Sequence, residues 1–462
     1  MTRIGAVVLL AGLSSEAWAQ AEPEFSPTPD RTTAVRSPLL GTAAEPLVRV
    51  AHDLLAAGIL PRLRSVQSIA ANPVGGLTQG TDASGVVIFG ADADLNRIAG
   101  WQGAQLHITF AQFYGHELST DHIGSRTKVQ SFYYPRKQFE LSEFTFQQKL
   151  FNDRLDVVVG RANATGEFAR STYGCRFQNV ADCPYELTQA VAGFPGFPYV
   201  NWGGRVRYNP TPQTFAKVGA FQINAVRNTN TGFNWGLDHS TGFVVPGEIG
   251  YGTEYANDPY PRHFKLGGWY NSADYTDPYY NTAHKPRGLV GGKPASYAGG
   301  RGGYYALADQ VVYRAEQSTT RGVAVFASGG APLDSQELFA FEGVAGAVWT
   351  GPSASRPNDE IGLLGSYIRV SNLETGYLNS LLKKARSISF IHRNQFIFET
   401  NYSYRIVEGV YLAPGVQYII NPDTIGRPSA RKAPPDALVF GLKFSVNANE
   451  VLGLPSVLSA SR

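Results

Sequence analysis

Leu438-Val439-Phe440-Gly441-Leu442-Lys443-Phe444-Ser445-Val446 alternates without a break. Leu438, Phe440, Leu442, Phe444 and Val446 form one set. Val439, Gly441, Lys443 and Ser445 form the other. A period of two is the side-chain period of a β-strand, so the stretch has one apolar face and one mixed face. The same pattern recurs upstream. Phe396, Phe398, Tyr402, Tyr404 and Ile406 alternate with Gln395, Glu399, Asn401, Ser403 and Arg405. Trp202, Gly204, Val206 and Tyr208 alternate with Asn201, Gly203, Arg205 and Arg207. Phe89, Ala91, Ala93 and Leu95 alternate with Gly90, Asp92, Asp94 and Asn96. Several of these runs are about ten residues long. That length suits a strand crossing a bilayer, about 9–11 residues, better than the usual strand of about 5–6.

Sixteen such segments are expected, at 62–72, 85–97, 103–114, 138–150, 153–164, 198–209, 214–225, 244–254, 262–274, 302–315, 321–330, 336–350, 360–371, 394–406, 409–421 and 435–446. The connections alternate too. Asn152-Asp153, 209–212 and Val407-Glu408 are tight, and 98–102 and 316–320 are short. The intervening gaps, 115–137, 165–197, 226–243, 275–301, 372–393 and 422–434, are long. Two gaps depart from the rule: 331–335 is short where a long one is expected, and 351–359 the reverse. A bilayer supplies no water to an open sheet edge, so membrane-crossing strands must close on themselves. The expected fold is an all-β, antiparallel up-and-down transmembrane barrel of sixteen strands. A barrel of that size leaves a water-filled lumen. Short turns then face the periplasm and long loops the exterior of a Gram-negative outer membrane.

Composition agrees. Of 462 residues, 50 are Gly, 26 Phe, 24 Tyr and 6 Trp; charged residues are 17%. The mean hydropathy is −0.17. A hydrophobic fraction of 43% excludes a disordered chain. The longest apolar run, Ile4 to Leu13, is too short for a spanning helix. A net charge of +3 gives no reason to expect nucleic acid as a partner.

The amino-terminal residues read as a secretory signal over 1–19, with Arg3 before the apolar run and Ala17-Trp18-Ala19 as cleavage site. A flexible segment follows over 20–45 and a short periplasmic helix over 46–60. The barrel occupies 61–447, and 448–462 form an extension. In an oxidising compartment, Cys175 and Cys183 read as a local disulfide pinning the 165–197 loop; two free thiols are the plainer alternative.

Several segments of this pattern stand in an order seen before. They are Val218–Asn224, Phe264–Tyr270, Tyr305–Gln310, Arg356–Asp359, Leu412–Pro422 and Asp436–Phe444. Together they resemble the carbohydrate-selective porin (OprB-type) family. The resemblance covers about residues 45 to 446. It implies a sixteen-stranded channel passing sugars such as glucose down their gradient, with neutral sugars and outer-membrane lipid as partners. One departure is that outer-membrane barrels usually end on an aromatic residue, whereas Phe444 is followed by the extension to Arg462.

A neutral sugar is selected by donors and acceptors in a constriction together with aromatic faces; a ring of one charge would select ions. The inner-face candidates are Arg205, Arg207, Lys217, Lys265 and Arg405 as donors, Asp92, Asp94, Glu248 and Glu399 as acceptors, and Trp269 as an inward aromatic. The 165–197 loop adds Glu167, Arg170, Tyr173, Arg176 and Tyr185. The competing reading of these charges is that they pair across strands and keep the pore wet. No enzyme is expected. Glu248 and Glu254 share a face but stand about 20 Å apart, too far for paired acid–base work. No Gly-x-Ser-x-Gly or His-Glu-x-x-His occurs. His116, Glu117, Asp121 and His122 read as a solvated loop, so no metal and no cofactor is expected. Two alternatives stay open: a general or anion-favouring diffusion porin, and a secreted β-sheet carbohydrate-binding protein. Homotrimer and monomer are both compatible with the pattern.

Overall fold

The computed structural model describes residues 45–133, 137–180, 191–224, 231–316 and 319–455. The expected secretory signal, Cys183 and Tyr185 lie outside them. The described strands are β1 (Ile59–Val74), β2 (Gly80–Asp94), β3 (Ala104–Gly115), β4 (Phe139–Leu150), β5 (Leu155–Ala162), β6 (Asn201–Thr211), β7 (Thr214–Asn224), β8 (Ser240–Gly252) and β9 (Arg262–Asn271). There follow β10 (Tyr275–Asn281), β11 (Pro294–Tyr297), β12 (Arg301–Arg314), β13 (Gly322–Pro332), β14 (Phe339–Thr350), β15 (Glu360–Val370), β16 (Asn394–Val407), β17 (Val410–Ile420) and β18 (Ala437–Asn447). Helices are α1 (Glu45–Ala56), α2 (Leu95–Ala99), α3 (Arg287–Val290), α4 (Asn372–Lys384) and α5 (Ala448–Val451).

Sixteen of these strands form one closed antiparallel barrel. Each expected segment falls on one barrel strand. The opening stretch, now β18, closes the ring against β1, with Leu442 opposite Ile69 and Phe444 opposite Gln67. On its other side Lys443 stands opposite Ala413 of β17. The ring skips β10 and β11, which form a separate hairpin inside the long β9–β12 connection. Closure leaves no barrel edge, so the ladder satisfies the wall's backbone without water.

The two faces separate as the alternation predicts. Leu63, Ile69, Val218, Leu266, Leu363, Phe398, Phe440 and Leu442 are exposed on the outer surface. Arg62, Asp92, His107, Gln147, Asp156, Arg205, Lys217, Glu248 and Glu399 are buried on the inner side. A soluble protein would invert this arrangement. Here the solvent of the outer face is hydrocarbon.

Four boundaries differ from expectation for local reasons. β2 stops at Asp94, which caps α2: its carboxylate accepts from the backbone N–H of Asn96 and Arg97. β5 starts late because Phe151, Asn152 and Asp153 all take left-handed backbone, making a tight turn. β8 ends at Gly252, so Glu254 lies in the following turn rather than on a strand with Glu248. The 372–393 connection holds α4, whose N-cap Ser371 accepts from Glu374 N–H at 3.1 Å. Ser371-x-x-Glu374 is the sequence signature of a helix start.

Candidate functional site

The lumen is crossed by the connection between β5 and β6, residues 163–200, called loop 3 here; residues 181–190 of it are outside the described set. Its base is closed by Ala164 N–H donating to Pro195 O at 2.7 Å. Asn163 Oδ1 accepts from Gly166 N–H at 2.7 Å and turns the chain inward.

From there the loop is held by the near wall. Glu167 pairs with Arg205 at 2.8 Å, and Lys217 Nζ donates to the Glu167 carbonyl. Ala169, with φ of 57°, donates its N–H to Glu248 Oε2 at 3.0 Å. Glu248 also accepts from Tyr305 Oη–H at 3.0 Å and pairs with Lys217 at 3.1 Å. Lys265 Nζ donates to the Arg170 carbonyl at 3.1 Å. Thr172 Oγ1–H donates to Asp309 at 2.7 Å.

The loop then reaches the far wall. Arg176 lies over the Tyr173 ring at 4.8 Å and pairs with Glu360. Glu399 receives both backbone N–H groups of Gln178 and Asn179, at 2.7 and 2.8 Å. Asn179 Nδ2 donates to Gln417 at 2.9 Å, and Gln178 Nε2 to the Ala413 carbonyl at 2.8 Å. Lys443, from the opening stretch, donates to the Arg176 carbonyl at 2.9 Å. Small wall residues make room. A Cβ on Gly362 would stand 2.8 Å from the Phe177 ring, and one on Gly441 would collide with the Gln178 amide. That close approach accounts for part of the glycine content.

A continuous polar chain runs around the near wall to this loop. Arg62 on β1 pairs with Asp92 on β2. Asp92 meets His107 on β3 at 2.6 Å, and His107 meets Gln147 on β4 at 3.1 Å. Gln147 donates to Asp156 on β5 at 2.9 Å, Asp156 pairs with Arg205 on β6 at 2.9 Å, and Arg205 ends on Glu167. Such buried charges persist only because each is bonded to the next.

The expected candidates therefore divide. Arg205, Lys217, Glu248, Lys265, Glu399, Arg170 and Arg176 meet at loop 3, and Asp92 joins them through the polar chain. Arg207 lies beside them on β6, its guanidinium 4.4 Å from the Phe215 ring. Trp269 is inward and 5% exposed near the loop end of β9, and its Nε1 has no hydrogen-bond partner. Asp94 and Arg405 stand apart. Asp94 caps α2, and Arg405 pairs with Glu408 at 3.3 Å in the short β16–β17 turn. Their inward phase is real, but strand ends place them at the turn rim, away from loop 3. Cys175 is disulfide-bonded. Tyr305, Asp309, Glu360, Gln417 and Lys443 complete the arrangement and were not singled out from sequence. Tyr305, Asp309, Gln417 and Lys443 lie in the segments that carry the resemblance, but inner phase alone does not tell them from other wall residues.

Glu337, between β13 and β14, pairs with Arg301 at 3.1 Å. Burial pushes its carboxyl up to about 7, against the counter-pull of Arg301. The folded loop thus holds a proton that the unfolded loop releases near 4.5. The folded packing of this loop is expected to be firmest below pH 4.5 and to weaken as pH rises from there to about 7. Hydrogen exchange of residues 333–338 should speed up across that window, and Glu337→Gln should flatten the dependence.

The geometry is that of a closed sixteen-stranded barrel with loop 3 bonded to its inner wall, and the comparisons agree on the barrel and its family. The model of the family "Carbohydrate-selective porin, OprB family" matches residues 78–447. Porin B of Pseudomonas aeruginosa is 26% identical over 411 residues, covering 85% of this chain and 88% of that protein. A protein of Acinetobacter baylyi described as putative porin QuiX is 25% identical over 387 residues, covering 79% of this chain and 83% of that one. The high-pH structure of Pseudomonas putida OprB superposes with a TM-score of 0.77 at 26% identity, covering 86% of this chain and 96% of that one. The fold and family are those of channels, which places the protein in the Gram-negative outer membrane, and the chain belongs to the carbohydrate-selective porin, OprB family.

Proposed function

We propose that the chain passes neutral monosaccharides of the glucose type by passive diffusion, and that loop 3 sets the narrowest point. The supporting observation is that loop 3 spans the lumen between Glu248 on one wall and Glu399 on another, amid charges of both signs. Arg62–Asp92, Arg205–Glu167, Lys217–Glu248 and Arg176–Glu360 are pairs, so the field of each cation is largely cancelled. A pore with a balanced lining discriminates ions weakly and leaves hydroxyl recognition to polar side chains and carbonyls. Arg205, Arg207, Lys217, Glu248, Lys265, Trp269, Glu399, Arg170 and Arg176 are its proposed contributors, most of them by positioning the loop.

A second reading, an anion-favouring pore, has its own support. Lys265 and Lys443 rest on backbone carbonyls, which carry no net charge. Planar-bilayer recordings separate the two. A sugar pore should show a reversal potential near zero under a salt gradient and a current that falls as glucose is added. A large anion-selective reversal potential with no response to glucose would establish the second reading.

A further inference from the structure

The outer face of the barrel carries a separate arrangement. The β7–β8 connection, described from Thr231 to His239, lies over the outside of β3–β6. Leu141 N–H donates to the Thr231 carbonyl at 2.8 Å. Phe233 stacks on Phe139 and Phe110, with ring centroids 5.9 and 6.4 Å apart. Trp235 packs edge-on to Phe144 at 5.6 Å and to Trp202 at 5.5 Å, and Trp202 Nε1–H donates to the Trp235 carbonyl at 2.9 Å.

Arg161 lies beneath this cover. It stands directly opposite Phe144 on β4 and Trp202 on β6, so it shares their outward face. Its guanidinium is 5.7 Å from each of the Trp202 and Trp235 rings. Nη2 donates to the carbonyls of Val200 at 3.1 Å and Gly232 at 3.4 Å. The residue is 1% exposed, and Nε is buried with no hydrogen-bond partner. Among the described residues no carboxylate reaches ion-pair distance, and Nη1 has no acceptor.

Height matters here. Arg161 lies roughly 15 Å above Leu155 at the turn end, for a strand tilted by about 40°. The apolar band of such barrels is about 25 Å tall. The guanidinium thus sits in the outer half of the band, within the reach of a snorkelling side chain from the headgroups. An unneutralised cation at that depth is costly. Two carbonyls orient it but leave its charge in place. A phosphate supplies the charge and accepts from the remaining N–H groups, a geometry to which the guanidinium fork is matched. Below, Val159 and Val206 are exposed and offer an apolar track for acyl chains.

We propose that Arg161, held between Trp202 and Trp235 under the β7–β8 connection, binds the phosphate of an anionic lipid in the outer leaflet. The test uses the full chain in nanodiscs of phosphatidylcholine containing a minority of phosphatidylglycerol, with retained lipid identified by native mass spectrometry. The wild type should retain one phosphatidylglycerol in preference to phosphatidylcholine. Arg161→Gln should lower that retention about tenfold, and Arg161→Lys, which keeps the charge but not the fork, should fall between the two. Should Arg161→Gln fail to fold, Arg161→Met serves as the second variant: it keeps an apolar stem under the Trp202 and Trp235 rings, removes the charge, and should lower retention to the same extent. Equal retention of both lipids by the wild type, or unchanged retention in Arg161→Gln, overturns the proposal. So does a change of oligomeric state in Arg161→Gln with lipid retention intact, which would make this face a contact between copies.

Discussion

Glu399→Ala is expected to widen the channel and blunt its discrimination among sugars. Both oxygens of this buried carboxylate are occupied by loop 3, through the N–H groups of Gln178 and Asn179 at 2.7 and 2.8 Å. Hydrogen bonds to a charged group contribute about 1.5–3 kcal/mol each, so the far end of the loop loses roughly 3–6 kcal/mol of anchoring. Two nearby acceptors, Gln417 Oε1 and the Ala413 carbonyl, already receive the Asn179 and Gln178 side chains. Single-channel conductance should rise, and liposome-swelling rates for mono- and disaccharides should converge. Glu399→Gln keeps one acceptor oxygen and should fall between. Wild-type conductance together with wild-type swelling rates in Glu399→Ala would remove this residue from the gating of the constriction.

Glu248→Ala is expected to cost stability first. Glu248 and Lys217 side chains are 0% and 2% exposed. Removing one partner of a buried ion pair costs about 3–5 kcal/mol, since the other charge is stranded. Tyr305 Oη–H and Ala169 N–H lose their acceptor as well. Ala169 holds a left-handed conformation, which disfavours an ordinary residue by about 1–2 kcal/mol and here depends on that bond. Thermal unfolding in detergent should shift down clearly. The double variant Lys217→Met, Glu248→Leu separates packing from positioning. It strands no charge, so stability should largely return. The Ala169 anchor stays broken, so altered sugar swelling should persist. Recovery of both properties would mean that Glu248 serves stability alone.

The barrel was legible because its outer solvent is uniform. Hydrocarbon accepts any apolar side chain and rejects every unpaired backbone group, so each crossing must repeat the same alternation at the same length. Leu438 to Val446 therefore announced a strand without reference to any partner. The loop alternation was legible for a related reason: tight turns such as the one around Asn152-Asp153 admit only antiparallel neighbours. What escaped was local. α4 was signalled by Ser371-x-x-Glu374, within a gap read only as a long connection. Asp94 had the right phase and the wrong height, because phase along a strand says nothing of where a helix cap interrupts it.

By itself, the sequence determined the number of barrel strands, which face of each meets lipid, and which connections are long. Those follow from interactions between residues two apart or a few apart, and from a solvent that is the same everywhere. The tertiary structure alone decided what the inner face does. Lys443 was visible as an inward cation, but its acceptors, the carbonyls of Arg176 and Phe177, lie 267 and 266 residues away in sequence. Glu399 meets loop 3 across separations of 221 and 220 residues. Those meetings depend on barrel closure, on strand register and on the path of one inserted loop, and no periodicity in the chain encodes them.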